Sequence, residues 1–289
     1  MRRFVVLVAL SWACSEPYAA RPGTPPPAAT ATAVPQAGGA AVPPTSEPAP
    51  APTPEAAGPR AGEIHYVERV LGGAGAQDTL PMVVAIHGLG DDPRNFGLLF
   101  DGFVEPVRLI LPQGLDPRPA GGFSWFPLRA RDPDVEALSA GIASAADKLA
   151  VAIDELARTR PTAGKPIVTG FSQGGMLSFA IAVRHPDSVA LAVPLGGWLP
   201  PPLWPHAHAA KGVPRIVALH GSDDGAVKLA PTEAAVEALH KHGWPAELHV
   251  YPGVGHIITP EIHRDLDDLL IDAARSAAKS KPRTAKPQP

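Results

Sequence analysis

Short apolar segments alternate with longer amphipathic stretches between about residues 61 and 275, and this alternation limits the folds open to the chain. The apolar segments are residues 64–71, 82–86, 107–111, 167–169, 189–194, 216–219 and 248–251. Strands of nearly continuous apolar character are buried on both faces, and helices between them allow parallel neighbours. The pattern therefore predicts an α/β fold with a mostly parallel central sheet and helices on both faces. Ligands of such sheets bind in the loops beyond the carboxyl ends of the strands.

The clearest predicted helix begins after Asp132-Pro133, which would supply a cap and a first-turn proline, and ends before Pro161. Apolar side chains spaced three or four residues apart mark its buried face: Val135, Leu138, Ile142, Ala146, Leu149, Ile153 and Leu156. Further helices are predicted at residues 174–184, 231–242 and 260–275, the last with Thr259 as its cap.

The beginning of the chain is typical of an export signal. Residues 1–13 combine two arginines, an apolar run and a small-x-small ending. The run is about ten residues long, short of the roughly 20 that a membrane-spanning helix needs. Cys14 follows it in an arrangement that resembles a bacterial lipoprotein signal, so we predict lipidation of Cys14 and a membrane tether in the cell envelope, periplasmic or at the outer membrane. The alternative is an ordinary secretory signal and a secreted protein with a free Cys14.

Composition divides the remainder into a linker, a domain and a tail. Proline and alanine make up 26 of the 46 residues from 15 to 60, so residues 14–60 are predicted to carry the lipidation site and a disordered, semi-rigid linker. Residues 61–275 form the predicted domain, and residues 276–289 a basic disordered tail. The formal net charge of −3 excludes a broadly basic nucleic-acid binder. The single cysteine excludes an intramolecular disulfide framework and a Cys-rich zinc site, and we predict no metal or cofactor.

A G-x-S-x-G motif lies between a predicted strand and a predicted helix. It reads Gly170-Phe171-Ser172-Gln173-Gly174, followed by a further glycine. In this context the glycines allow a strained turn that lifts the serine oxygen above the sheet. The motif therefore predicts a nucleophilic Ser172; the alternative is a plain glycine turn with a helix-capping serine.

A nucleophilic serine needs a histidine base and a carboxylate that orients the histidine. His256 follows a predicted strand and precedes a predicted helix, so it lies on a loop at the carboxyl edge of the sheet. Asp223 and Asp224 both follow the strand at residues 216–219, and their spacing does not choose between them. The oxyanion needs two backbone donors. The amide of Gln173 is predicted as one, and that of Leu89, in the glycine loop after residues 82–86, as the other.

Taken together and in this order, several motifs resemble the carboxylesterase/phospholipase branch of the α/β-hydrolases, which includes the acyl-protein thioesterases. The resemblance rests on His87-Gly88-Leu89-Gly90-Asp91, Ser124-Trp125-Phe126, Gly170 to Gly175, Gly197-Trp198-Leu199-Pro200, His220-Gly221 with Asp224 and Val227, and Gly255-His256. It implies the α/β-hydrolase fold, Asp224 as the catalytic acid, and Leu89 and Gln173 as the oxyanion hole. It also implies that Trp125 and Trp198, with Leu199 beside it, lie near the substrate pocket. Gly196 stands where the family often has serine, a change that bears on substrate choice.

These observations predict a metal-independent serine carboxylesterase that hydrolyses short or medium acyl esters. No large cap domain is visible, since the longest candidate insertion is at residues 196–212, so we expect an open cleft. The substrate is predicted to be a small-molecule or polymeric ester, with the oligomeric state left open. Two alternatives are an exported depolymerase-like or feruloyl-type esterase, and a catalytically inactive surface binding module on a hydrolase scaffold.

Overall fold

The computed structural model describes residues 58–280, which contain a twisted central sheet of eight strands. The strands are β1 (Arg60–Ala61), β2 (Ile64–Leu71), β3 (Met82–Ile86), β4 (Val107–Pro112), β7 (Ile167–Phe171), β8 (Leu191–Leu195), β9 (Arg215–Gly221) and β10 (Ala246–Tyr251). Their order across the sheet is β1-β2-β4-β3-β7-β8-β9-β10. β2 is antiparallel to both of its neighbours, β1 and β4. The other six strands, which are β4, β3, β7, β8, β9 and β10, are parallel to one another. The mostly parallel sheet predicted from the sequence is confirmed.

Helices cover both faces of this sheet. They are α1 (Pro93–Gly97), α2 (Val135–Thr159), α3 (Gln173–Arg184), α4 (Leu229–Lys241) and α5 (Pro260–Ala278). Because side chains alternate along a strand, Met82, Val84 and Ile86 of β3 join one core with α2, α3 and α4. Val83 and Ala85 join the other core with α1 and α5. The predicted helices on both faces, and so the α/β-hydrolase architecture, are confirmed.

Some boundaries differ from the prediction. The N-cap of α2 is Asp134, whose side chain accepts from the amide of Ala137 at 2.9 Å, whereas Asp132 accepts from the amide of Arg129. The prediction based on Pro133 therefore placed the start of the helix two residues too early. α4 also begins earlier than predicted, at Leu229, with Pro231 inside its first turn, where no amide is needed.

The domain is longer than predicted at both ends. α5 continues through Ala278 because Ala274 and Ala277 still pack into the core, so the tail does not begin at residue 276. At the other end, Arg60 belongs to β1 and pairs with His65 of β2, although the sequence analysis assigned Arg60 to the linker. Residues 1–57, with the predicted export signal, Cys14 and most of the linker, lie outside the described residues, as do 281–289. Those assignments stay predictions, and the mass of the mature N-terminal peptide tests them.

The longest connection of the domain joins β4 to α2 through residues 113–134, and not at residues 196–212 as the sequence suggested. It carries a small antiparallel pair, β5 (Asp116–Pro117) and β6 (Phe123–Ser124). Neither connection forms a cap domain. Among residues 58–280, no helix combines the length and apolarity needed to cross a membrane.

Candidate active site

Ser172 lies in a strained turn between β7 and α3, at the carboxyl edge of the sheet. Its φ of 58° and ψ of −114° make it the only non-glycine residue with positive φ among residues 58–280. The turn sits tightly against β3, because a Cβ built on Gly174 would lie 2.0 Å from the carbonyl oxygen of Ile86. Strain of this kind persists only where the surrounding structure holds it. Here it holds the hydroxyl of Ser172 at the top of the sheet.

A chain of two hydrogen bonds joins the three residues singled out for catalysis. Ser172 Oγ lies 3.0 Å from His256 Nε2, and His256 Nδ1 lies 2.6 Å from Asp224 Oδ2. An ionised carboxylate can only accept, so the proton is on Nδ1 and Nε2 is left to accept from the serine hydroxyl. This is the arrangement in which an imidazole can remove a proton from serine.

The structure separates the two aspartates that spacing left open. Asp224 is 3% exposed, and its Oδ1 accepts from the amides of Ala226 at 2.9 Å and Val227 at 2.7 Å. Burial alone would raise the pKa of the Asp224 carboxyl, but the bond from His256 and the two amides lower that pKa below its ordinary value. Asp223 is exposed and instead accepts from the hydroxyl of Ser222. Asp224 alone of the pair faces His256 as an ion.

Two further rings contact His256 and Asp224. Phe171 stacks on the ring of His256, with centroids 4.6 Å apart. His220 is buried behind Asp224, where its Nε2 donates to the carbonyl of Val227 at 2.9 Å and lies 3.5 Å from Asp224 Oδ2. The ring of His220 therefore helps to hold the loop that carries the acid.

The loop after β3, which carries Leu89, lies beside the serine turn. A Cβ built on Gly88 would lie 3.4 Å from Ser172 Cβ, so this loop packs directly on the turn. Among residues 58–280, no protein group accepts a hydrogen bond from the amide of Leu89 or of Gln173. Two unpaired backbone donors beside a serine can serve a developing oxyanion.

The amino-acid pattern of residues 73–271 matches the model of the phospholipase/carboxylesterase family, and this match covers more than half of the chain. The chain belongs to the phospholipase/carboxylesterase family. The resemblance predicted from the motifs is confirmed, and it places the chain among the carboxylic ester hydrolases.

Relatives and solved structures agree with this membership. A probable carboxylesterase of Arabidopsis thaliana, described as SOBER1-like, is 29% identical over 224 residues, which cover 68% of this chain and 80% of that one. A probable carboxylesterase of Oryza sativa subsp. japonica is 28% identical over 208 residues, covering 65% and 76%. Acyl-protein thioesterase 2 of Zea mays superposes with a TM-score of 0.55 at 25% identity over 73% of this chain and 98% of that one. Esterase PE8 shows the same fold, with a TM-score of 0.62 at 24% identity over 72% and 98%.

The side chains predicted to lie near the substrate pocket of this family member are packed into its core. Trp125 is 1% exposed, Leu199 0% and Trp198 8%, so they offer almost no surface to a substrate. Trp125 is turned inward because its indole Nε1 donates to the buried carbonyl oxygen of His87 at 3.0 Å. That these residues lie near the substrate pocket stays a prediction.

Sequence reasoning missed a hairpin that contacts the Leu89 loop. The amide of Gly90 donates to the carbonyl of Phe123 at 2.7 Å, and the amide of Phe123 donates to that of Asp91 at 2.9 Å. The Gly121-Gly122 pair is a turn signal that could have revealed the hairpin. The hydrogen bonds between the Gln173 side chain and the 113–134 connection have no signal in the sequence.

His87, which directly follows β3, is neutral in the fold. Its Nδ1 donates to the carbonyl of Gly88 at 2.7 Å, and its Nε2 accepts from the amide of Gly114 at 3.0 Å. Burial lowers the pKa of His87, and the Gly88 carbonyl, Asp91 and Asp92 only partly oppose this. The ring therefore joins the Leu89 loop to the start of the 113–134 connection as an uncharged link.

The lowered pKa of His87 predicts that the folded protein loses stability in acid. Below about pH 6.5, the unfolded chain protonates residue 87 whereas the folded chain does not, so the free energy of unfolding falls with decreasing pH by up to about 1.4 kcal/mol per pH unit for this one proton. Urea unfolding between about pH 5 and pH 7.5 measures the slope. His87→Asn, which keeps one donor and one acceptor but does not titrate, should show a slope smaller by that one proton. Equal slopes would contradict the buried neutral ring.

Proposed function

We propose that this chain is a serine carboxylesterase that acts on short or medium acyl esters, with Ser172, His256 and Asp224 as its catalytic triad. The observation that carries the proposal is the hydrogen-bonded chain from the strained Ser172 through His256 to the buried, ionised Asp224. Family membership supports it, since the names of relatives identify probable carboxylesterases. The same geometry favours an active enzyme over a binding module that has lost catalysis.

The reaction follows from these positions. Ser172 Oγ attacks the ester carbonyl carbon while His256 Nε2 takes the hydroxyl proton, and Asp224 stabilises the resulting imidazolium. The carbonyl oxygen becomes an oxyanion that accepts from the amides of Leu89 and Gln173. His256 then protonates the leaving alcohol, so that an acyl-Ser172 ester remains. Water, deprotonated by His256, attacks this ester, and Ser172 recovers its proton as the acid leaves.

Among the described residues, neither long connection forms a cap domain, and this favours an open cleft for short or medium acyl groups. A small pocket next to Asp224 has Phe171, Gly196, Leu219 and Ile257 among its lining residues. Because the three large apolar side chains of the pocket prediction are buried, none of them opens a tunnel for a long acyl chain.

A series of p-nitrophenyl esters of increasing acyl length tests the proposed range. We expect kcat/KM to peak at a short or medium chain and to fall by about tenfold or more at long chains, since no cap domain encloses a long chain to compensate for the cost of ordering it. Ser172→Ala run beside the wild type gives the background rate. A steady rise towards long acyl chains would contradict the proposed range. A clear preference for feruloyl esters over all alkyl esters would favour the feruloyl-type alternative.

A further inference from the structure

The two proposed oxyanion donors belong to different elements. The amide of Leu89 lies in the loop after β3, and the amide of Gln173 lies at the start of α3. An oxyanion hole stabilises charge only when both donors point at one oxygen position, at about 2.7–3.1 Å. Some part of the molecule must therefore set the separation between these two elements.

Trp125 contacts both elements at once. Its indole Nε1 donates to the carbonyl of His87, which precedes the Leu89 loop, at 3.0 Å. Its backbone amide donates to the side-chain Oε1 of Gln173 at 3.1 Å. The side chain is 1% exposed, and its ring centroid lies 5.2 Å from that of His87. One residue thus bonds to the elements that carry both donors.

The Gln173 side chain completes the attachment on the side of the serine. It is 3% exposed, and its Nε2 donates to the carbonyls of Phe126 at 2.9 Å and Leu128 at 3.2 Å. With the bond from Trp125, the amide makes three hydrogen bonds to the 113–134 connection. The residue that follows the nucleophile is therefore tied by its side chain to Trp125 and its neighbours.

We infer that Trp125 is a positioning residue of the oxyanion hole, acting with the side chain of Gln173 to hold the amides of Leu89 and Gln173 at the separation that the oxyanion requires. The inference rests on the proposed function. It assigns the β4–α2 connection, which carries Trp125, a catalytic task. Trp125 does not touch the substrate; it acts through His87 and Gln173.

Such a role predicts a loss confined to the transition state. The ground-state ester needs little from the oxyanion donors, so a misplaced donor lowers kcat and leaves KM nearly unchanged. Loss of a whole oxyanion donor costs about 100- to 1,000-fold in kcat. Because Trp125→Phe keeps an aromatic ring in the core but removes the indole N–H with its five-membered ring, we expect a kcat about 10- to 100-fold below wild type.

Trp204 provides a matched control. Its indole Nε1 donates to a backbone carbonyl, that of Leu199, at 2.8 Å, and the side chain is partly buried. Trp204→Phe removes the same kind of hydrogen bond from a loop that carries neither donor. Its kcat should stay within about threefold of wild type.

The test compares wild type, Trp125→Phe and Trp204→Phe in ester hydrolysis and in inhibition by an alkyl trifluoromethyl ketone, which forms a tetrahedral adduct with an active serine. We expect Trp125→Phe to lose affinity for the ketone by about the same factor as kcat, with KM within about threefold of wild type. A purely structural role would not make these two losses match. If Trp125→Phe does not fold, Gln173→Met, which removes the attachment from the other side, should show the same paired losses.

The outcomes separate the inference from the function on which it rests. A wild type that neither hydrolyses esters nor binds the ketone overturns the proposed function. An active wild type together with a folded Trp125→Phe of unchanged kcat overturns only the inference, and so does a loss shared equally with Trp204→Phe or seen in KM alone.

Discussion

Replacing Ser172 with alanine should lower kcat/KM for a short acyl ester by about 10⁴- to 10⁶-fold. Ser172 Oγ forms the covalent bond to the acyl group, and no other hydroxyl faces His256 Nε2 among the hydrogen bonds of residues 58–280. The residual rate would come from water activated in the intact oxyanion hole. The fold should remain, because the hydroxyl does not cap α3 and alanine meets the same positive φ as serine.

Ser188→Ala is the control for this substitution. Ser188 precedes β8, at the amino edge of the parallel strands, whereas Ser172 follows β7 at the carboxyl edge. Its hydroxyl donates to the side chain of Asp154 at 3.1 Å, so the variant also removes a hydroxyl that is hydrogen-bonded to a side chain, but far from the site. Kinetics of both variants, with circular dichroism to confirm folding, check the prediction. A Ser172→Ala enzyme with more than about a tenth of wild-type activity would contradict the assignment of the nucleophile.

Replacing Asp224 with asparagine should lower kcat by about 10⁴-fold. The carboxylate keeps the proton of His256 on Nδ1, over a distance of 2.6 Å, and stabilises the imidazolium. An amide can donate to Nδ1 and so favours the tautomer in which Nε2 carries the proton and cannot accept from serine. The loss should fall on kcat, with little change in KM, in a steady-state measurement.

The neighbouring aspartate makes this test specific. Asp223→Asn changes the same functional group one residue away, on an exposed side chain that bonds to Ser222. We expect Asp223→Asn to keep kcat within about threefold of wild type, because surface changes away from the reacting groups have small effects. If both variants lost activity equally, the loop rather than the carboxylate of Asp224 would be responsible.

Much of the fold was predictable from the sequence because its signals are local. β2 and β3 begin and end where their apolar runs do. The motif around Ser172 predicted a strand, a turn and a helix in the observed order. The signal is local because only glycine allows the backbone of this turn to pack so closely against its neighbours. The choice of Asp224 over Asp223 came from the family resemblance, and the structure turns only Asp224 towards His256.

Other features depend on contacts between distant residues and have no local signal. The apolar character of Trp125 does not show which way its ring faces, and only its bond to His87, 38 residues away, directs the ring into the core. The end of α5 depends on the packing of Ala277, which a basic, small-residue composition does not reveal. The helix cap at Asp134 was hidden because Asp132 and Asp134 flank the same proline.

Labelling with a fluorophosphonate tests the nucleophile most directly, since the reagent modifies only a serine activated by a neighbouring base. We predict one covalent adduct per folded chain, located on Ser172 by mass spectrometry of the peptide and absent from Ser172→Ala. Failure of the folded wild type to react, or an adduct on another residue that persists in Ser172→Ala, would contradict the proposed serine esterase.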